Sequence, residues 1–220
     1  MKDNNNKSVK RELTRAALVR ATHELVLARG HEKISIQDIT TAANVGLGTF
    51  YNYFDSKQGA FEAVLDQIRG QFYATLHGLR SPLRDPATRL AVTLQFYFTQ
   101  IQDNQAWNDF VRFAGPEDPH LLSSDSDPLL ADIQLGAGGR FKVDDPVLTH
   151  NLILGLVRHV SQEIRRGQLS RKAMTETTRH ILRMLGLPDQ AAKALTQSSW
   201  PLPPVAVTRR IEPDSAKMRA

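Results

Sequence analysis

Thr49, Tyr51, Asn52 and Tyr53 crowd into one short stretch, with Leu47 and Gly48 just before them and Lys57 four residues after. Their chemistry is that of nucleic-acid contact. The threonine hydroxyl can bond a phosphate or a base edge. Each tyrosine offers a ring for a thymine methyl and a hydroxyl for a phosphate. Lys57 opens a helical pattern, where its charge and the helix's free N–H groups both suit an anion. Leucine at 47 has no hydrogen bond to give, though it can touch a thymine methyl.

Such residues read a duplex only if something holds them outward. The surrounding stretch, SIQDITTAANVGLGTFYNYFDSK from Ser35 to Lys57, supplies it. Ser35 with Asp38 three residues on is a capping pattern. Ile36, Ile39 and Ala43 share one helical face. Asn44, Val45 and Gly46 break the run. A second helix is expected from about Leu47 to Phe54, with Phe50 and Phe54 inward and Gly48, Thr49, Tyr51 and Asn52 outward. Asp55 and Gln58 then read as the cap of the next helix. Two short helices across a tight turn, the second with a polar and aromatic outer face, form the helix-turn-helix arrangement.

Here the chain resembles the TetR family of bacterial transcriptional regulators. The match lies in Gly30, Ile36-x-x-Ile39-x-x-x-Ala43, Val45, Gly48-Thr49-Phe50-Tyr51-x-Tyr53-Phe54, Ser56-Lys57 and Phe61. The resemblance places Gln37 and Tyr51 at base-reading positions. It places Ser35, Thr49, Tyr53 and Lys57 at backbone-contacting ones. Leu47 departs from the polar residue that some members carry. The family also implies an effector pocket in the fifth and sixth helices, where Phe96, Tyr97, Phe98, Trp107, Phe110 and Phe113 cluster; Asn108, Arg112, His150 and His159 are candidate polar partners. It further implies that the two long C-terminal helices pair with those of a second copy in a four-helix bundle. Leu152, Gly155, Leu156, His159 and Ile181 are the expected interface, with Gly155 allowing close approach.

Composition sets the bounds. The chain has 220 residues, 41% of them hydrophobic, enough for a small domain and a larger one. The absence of cysteine excludes disulfides and thiolate chemistry. The polar start has no signal-peptide core, and no apolar run approaches the ~20 residues of a membrane helix, so a cytoplasmic protein is expected. Net charge is +5, and Lys2, Lys7, Lys10, Arg11, Arg15 and Arg20 concentrate it beside the helix-turn-helix. The stretch from Gln71 to Val157 balances six basic against ten acidic residues, so the cationic bias belongs to the ends of the chain. Gly46-x-Gly48 lacks the third glycine and the strand of a dinucleotide fingerprint. His159 and Glu163 have metal-ligand spacing but no further ligand pattern. No motif of an enzyme is found, and no cofactor or metal is expected.

The order of elements follows. Residues 1 to about 9 read as a disordered arm and Lys10 to Arg29 as the first helix, with Leu13, Ala17, Ala21 and Leu25 in one apolar stripe that Val26 and Leu27 widen near its end. A fourth helix carries Phe61, Val64, Leu65, Ile68, Phe72, Leu76 and Leu79. Later helices are expected over about 86–103, 105–114, 128–135, 146–166 and 170–185, with a short one ending near Gln197. The expected fold is all-α. Residues 11–71 form a DNA-binding domain, 81–197 a helical ligand-binding and dimerisation domain, and 198–220 an irregular tail. The expected partners are a palindromic double-stranded operator, a second copy of the chain and a small apolar effector. The alternative is a helical ligand-binding or protein-interaction module that binds no operator.

Overall fold

The computed structural model describes residues 2–104, 108 and 127–197, with residues 2–6 traced by backbone alone. Every regular element among them is helical: α1 (Lys2–Arg29), a 3₁₀ turn (His31–Lys33), α2 (Ile36–Ala42), α3 (Leu47–Tyr51), α4 (Lys57–Arg80), α5 (Pro86–Asp103), α6 (Pro128–Ala137), α7 (Pro146–Arg165), α8 (Lys172–Met184) and α9 (Asp189–Gln197). The described residues divide into two compact units, with the chain passing from one to the other between Gly78 and Leu79. The expected helix over 105–114 lies, apart from Asn108, outside the described residues, as does the tail.

In the first unit, α1 begins at Lys2 rather than Lys10. The polar residues before Lys10 contain neither proline nor glycine, so nothing in them stops a helix from continuing. The buried face of α1 keeps Ala21 and Val26 of the expected stripe but turns toward Leu18, Val19 and Thr22, while Leu13 is 67% exposed. Both stripes fit a 3.6-residue period, and polar Thr22 argued against the true one. Its hydroxyl is satisfied by the Leu18 carbonyl at 2.8 Å, which makes burial cheap. Gly30 (φ +83°) closes the helix in the left-handed region.

The second unit begins its helices in one repeated way. Asp85-Pro86, Asp127-Pro128 and Asp145-Pro146 each place a carboxylate at the N-cap and a proline in the first turn. Aspartate satisfies orphan N–H groups, and proline has none to lose. The central helix is α5. Leu90, Ala91, Val92, Leu94, Phe96, Tyr97 and Phe98 are buried around its whole circumference. It packs against α6, α7, α8 and α9. A helix apolar on all sides belongs inside.

Candidate nucleic-acid interface

α2 is fixed at its start by a complete capping box. The Ser35 Oγ accepts from the Asp38 N–H at 3.1 Å, and the Asp38 carboxylate accepts from the Ser35 N–H at 2.8 Å and the Ser35 hydroxyl at 2.6 Å. These bonds from Ser35, with Arg29 near by, hold the Asp38 carboxyl below the usual carboxylate range. They also occupy the Ser35 hydroxyl proton, so in this arrangement that side chain has no hydrogen to offer a phosphate. The turn after α2 rests on Asn44, whose φ of +54° is left-handed, and not on Gly46, whose φ is −73°. Asparagine tolerates this region better than other residues with a side chain. The Val45 N–H reaches back to the Thr40 carbonyl at 3.0 Å and tightens the corner.

α3 is shorter than expected, ending at Tyr51 and not near Phe54. Asn52 and Tyr53 continue as turn, and the Phe54 N–H still bonds the Phe50 carbonyl at 3.0 Å. Phe50 is wholly buried and Phe54 nearly so, with ring centroids 5.7 Å apart. That anchor turns the opposite face outward. Tyr51 is 53% exposed and Leu47 47%. Gly48 and Asn52 are exposed, and Thr49 and Tyr53 half-buried. Gln37 is exposed on α2. Arg15 of α1 lies 5.4 Å from the centre of the Phe54 ring, a cation–π distance, which brings one of the basic residues of α1 to the foot of the reading helix.

Ser56, and not Asp55, caps α4. Its Oγ accepts from the Gly59 N–H at 3.1 Å, while Gln58 bonds Glu62 on its own helix. The register is one residue later than the sequence pattern suggested. Lys57 takes part in the unit's interior. Its Nζ donates to the His31 and Ile34 carbonyls, both at 3.1 Å, so two of its three N–H donors tie α4 to the connection before α2. The His31 ring packs on Phe61 at 4.4 Å. Burial, with the Lys57 ammonium adding to it and Glu32 opposing, lowers the His31 pKa.

The residues expected at an effector site fall in the second unit. Phe96, Tyr97 and Phe98 are buried in α5; Trp107, Phe110 and Phe113 lie outside the described residues. Of the expected dimer residues, Leu152, Gly155, Leu156 and His159 are exposed on one side of α7 beside Leu148. Ile181 is a correction. It is fully buried within its own chain, because α8 turns that side toward the core, and it has no surface to give a partner. Exposed Met184 occupies the outer side of the same helix.

Sequence reasoning named Tyr97 and His150 but passed over the carboxylates and arginines buried in the second unit. Asp132 lies 2.5 Å from Arg80 and 2.8 Å from Arg89, and Arg80 also bonds the Pro128 carbonyl at 3.0 Å. Burial raises the Asp132 pKa, opposed by Arg80 and Arg89. Asp127 accepts from the Leu129 N–H at 2.7 Å and the Tyr97 hydroxyl at 3.3 Å, with His150 Nε2 3.1 Å from its other oxygen. The Asp-Pro dipeptide at 127–128 could have flagged the helix start. Nothing local could have flagged its burial.

The amino-terminal geometry has counterparts. Residues 18–64 match the model of bacterial regulatory proteins of the tetR family. By its amino-terminal domain, the chain is a TetR-family protein. A curated relative, the HTH-type transcriptional repressor DhaR of Mycobacterium sp. (strain GP1), is 38% identical over 88 residues, 40% of this chain and 42% of that protein. The chain spans less than half the length of the curated relatives it matches. Solved structures extend the likeness across both units. RolR without ligand is 27% identical, covers 85% of this chain and 98% of its own, and gives a TM-score of 0.66. RolR in complex with resorcinol is 26% identical, covers 90% and 100%, and gives 0.57. Among the described residues, no helix is long and apolar enough to cross a membrane.

Proposed function

We propose that this TetR-family protein is a transcriptional regulator, a repressor that leaves its operator when a small effector binds the second unit. The observation that carries the reading is the two-sided build of α3. Phe50 fixes it from beneath while Leu47 and Tyr51 stand clear on the other side. Tyr51 and Gln37 read bases. Thr49, Tyr53 and the third N–H of Lys57 hold phosphates, and Leu47, Gly48 and Asn52 complete the contacting face. Ser35 contributes by fixing α2. A dimer sets two such helices about one DNA turn apart, ~34–36 Å, and so selects a palindrome.

The dimer forms through the exposed side of α7, where Leu148, Leu152, Gly155 and Leu156 leave an apolar stripe beside His159. The name of DhaR supports repression, and the RolR complex with resorcinol supports a small, largely apolar effector. The effector shifts DNA affinity by no more than its differential affinity for the two conformations.

Selection of bound duplexes from a random pool, followed by affinity measurements over a range of salt, tests the proposal. A palindromic site and a steep salt dependence are expected. Tyr51→Ala should then lose about 1–3 kcal/mol on the selected site and much less on random DNA. Equal losses on both would remove Tyr51 from base reading. Salt-independent or absent DNA binding would overturn the function.

A further inference from the structure

We infer that Asp127, His150 and Tyr97 form the polar end of the effector site, and that the effector is a small neutral molecule with a hydroxyl on an apolar body. The inference rests on the regulator reading above. The three side chains come from α5, from the N-cap of α6 and from α7, elements that pack pairwise. Tyr97 is fully buried, Asp127 is 1% exposed and His150 4%.

The unit contains its own control. Three Asp-Pro caps start its helices, and capping α6 needs only the bond from Leu129. Asp85 and Asp145 do the same work in contact with solvent. Asp127 alone of the three is buried, and alone carries a tyrosine and a histidine. The cap explains an aspartate at 127 but not its burial with a tyrosine and a histidine, since aspartates in contact with solvent cap α5 and α7 as well and buried charged clusters add little to stability. A binding role explains it.

The geometry also leaves room for a ligand's hydrogen bond. A carboxylate presents about four lone-pair positions, and among the described residues Asp127 has partners for three. The Tyr97 contact, at 3.3 Å, is longer than the 2.5–2.7 Å of an O–H···O⁻ bond, so replacing it costs little. A hydroxyl fits because it can donate to Asp127 while accepting from Tyr97. A carboxylate would be repelled by Asp127 in a low-dielectric interior, and an ammonium must shed its hydration shell to enter an apolar core, a cost that a neutral hydroxyl avoids. Leu94, one turn before Tyr97, and Ile153 and Leu154, one turn after His150, are buried on the same helix faces and suit an apolar body.

The test uses the full-length chain with phenol and resorcinol, against toluene, benzoate and benzylamine. Thermal shift reports binding, and release from the selected duplex reports function. Phenol and resorcinol should raise the melting temperature and release DNA at concentrations at least roughly tenfold below the other three. Tyr97→Phe should weaken the hydroxylated probes about ten- to a hundredfold and leave any toluene response unchanged. Asp127→Asn keeps the cap, removes the charge and should erase the preference over benzoate. The inference falls if toluene, benzoate or benzylamine matches phenol. It also falls if Tyr97→Phe binds phenol like the parent, or if neither hydroxylated probe binds at millimolar concentration. If the chain binds no DNA, the regulator reading fails, and thermal shift still decides the ligand class. If it binds DNA but answers no hydroxylated probe, the regulator reading stands without this site.

Discussion

The two units are inside-out versions of one another. In the first, phenylalanines are hidden, and the polar and aromatic groups proposed to meet DNA, Thr49, Tyr51 and Asn52, lie on the outer face. In the second, Asp127, Asp132, His150 and Arg80 are buried, while Leu148, Leu152 and Leu156 face outward. A surface that must meet a fixed, charged, water-filled groove keeps its hydrogen-bonding groups outside. On the proposed reading, a unit that encloses a ligand and meets a copy of itself does the reverse. The contrast teaches where to look: on the surface of one unit and in the core of the other.

The contrast predicts different costs for losing one carboxylate. Asp132→Ala leaves Arg80 buried beside no counter-charge, a change that costs about 3–5 kcal/mol when a buried pair is broken. Denaturant unfolding of the second unit measures it. Replacing both partners, as Arg80→Met with Asp132→Leu, should recover most of that loss. A loss under about 1 kcal/mol for the single change would show that the interior charges are solvated, and the contrast would fail.

Lys57→Met tests a place where the first unit turns a charge inward. Losing the bonds to the His31 and Ile34 carbonyls should cost about 1–3 kcal/mol in unfolding free energy. Losing its third donor should also lower the salt slope of DNA binding by about 0.9. A changed slope with unchanged stability would make Lys57 a surface contact alone. A stability loss with an unchanged slope would make it a brace alone.

Ser35→Ala comes next in size. It opens the capping box and should destabilise the first unit by about 1 kcal/mol, the usual worth of an N-cap. Chemical denaturation of the variant checks it, and Asp38→Ala should give a loss of the same order. If both variants unfold like the parent, the box is a surface ornament, and the start of α2 is held by packing alone.

How much of this was legible follows from the range of each cause. The capping box, the inward Phe50 and Phe54 and the Gly30 stop are local, and spacing within a few residues displays them. The Asn44 turn was half visible: the break could be placed, but glycine drew attention to a position whose φ is ordinary. The shift of the α4 cap from Asp55 to Ser56 is a one-residue choice between two good caps. Which stripe of α1 is inside, which side of α8 holds Ile181, and why Asp127 and Asp132 are buried are all decided by partners distant in the chain, as Asp127 meets His150 23 residues on and Asp132 meets Arg80 52 residues back. The sequence names those partners without saying that they meet.

The smallest expected effect is a pH dependence of the first unit, carried by His31. Its pKa is lowered chiefly by burial, with the Lys57 ammonium as a second cause and Glu32 opposing. The folded state therefore binds its proton less readily than the unfolded chain, whose histidine titrates near about 6.5. Stability must rise with pH wherever the unfolded state holds more protons. The contribution is complete above that value and fades as pH falls through it toward the lower folded pKa. Asp38 acts in the same direction but in the acid range, below the ordinary aspartate value, and so lies outside the window from about pH 7.5 to 5. His31→Phe is the clean test. The His31 Nε2 is buried without a hydrogen-bond partner among the described residues, so phenylalanine removes no bond there. It keeps a ring against Phe61 and keeps the backbone carbonyl that Lys57 uses. Unfolding of the first unit should flatten with pH in that window, with stability at pH 7.5 equal to the parent's or slightly above it. An unaltered slope would mean that some other group carries the proton, and that the inward turn of Lys57 reaches no titrating neighbour.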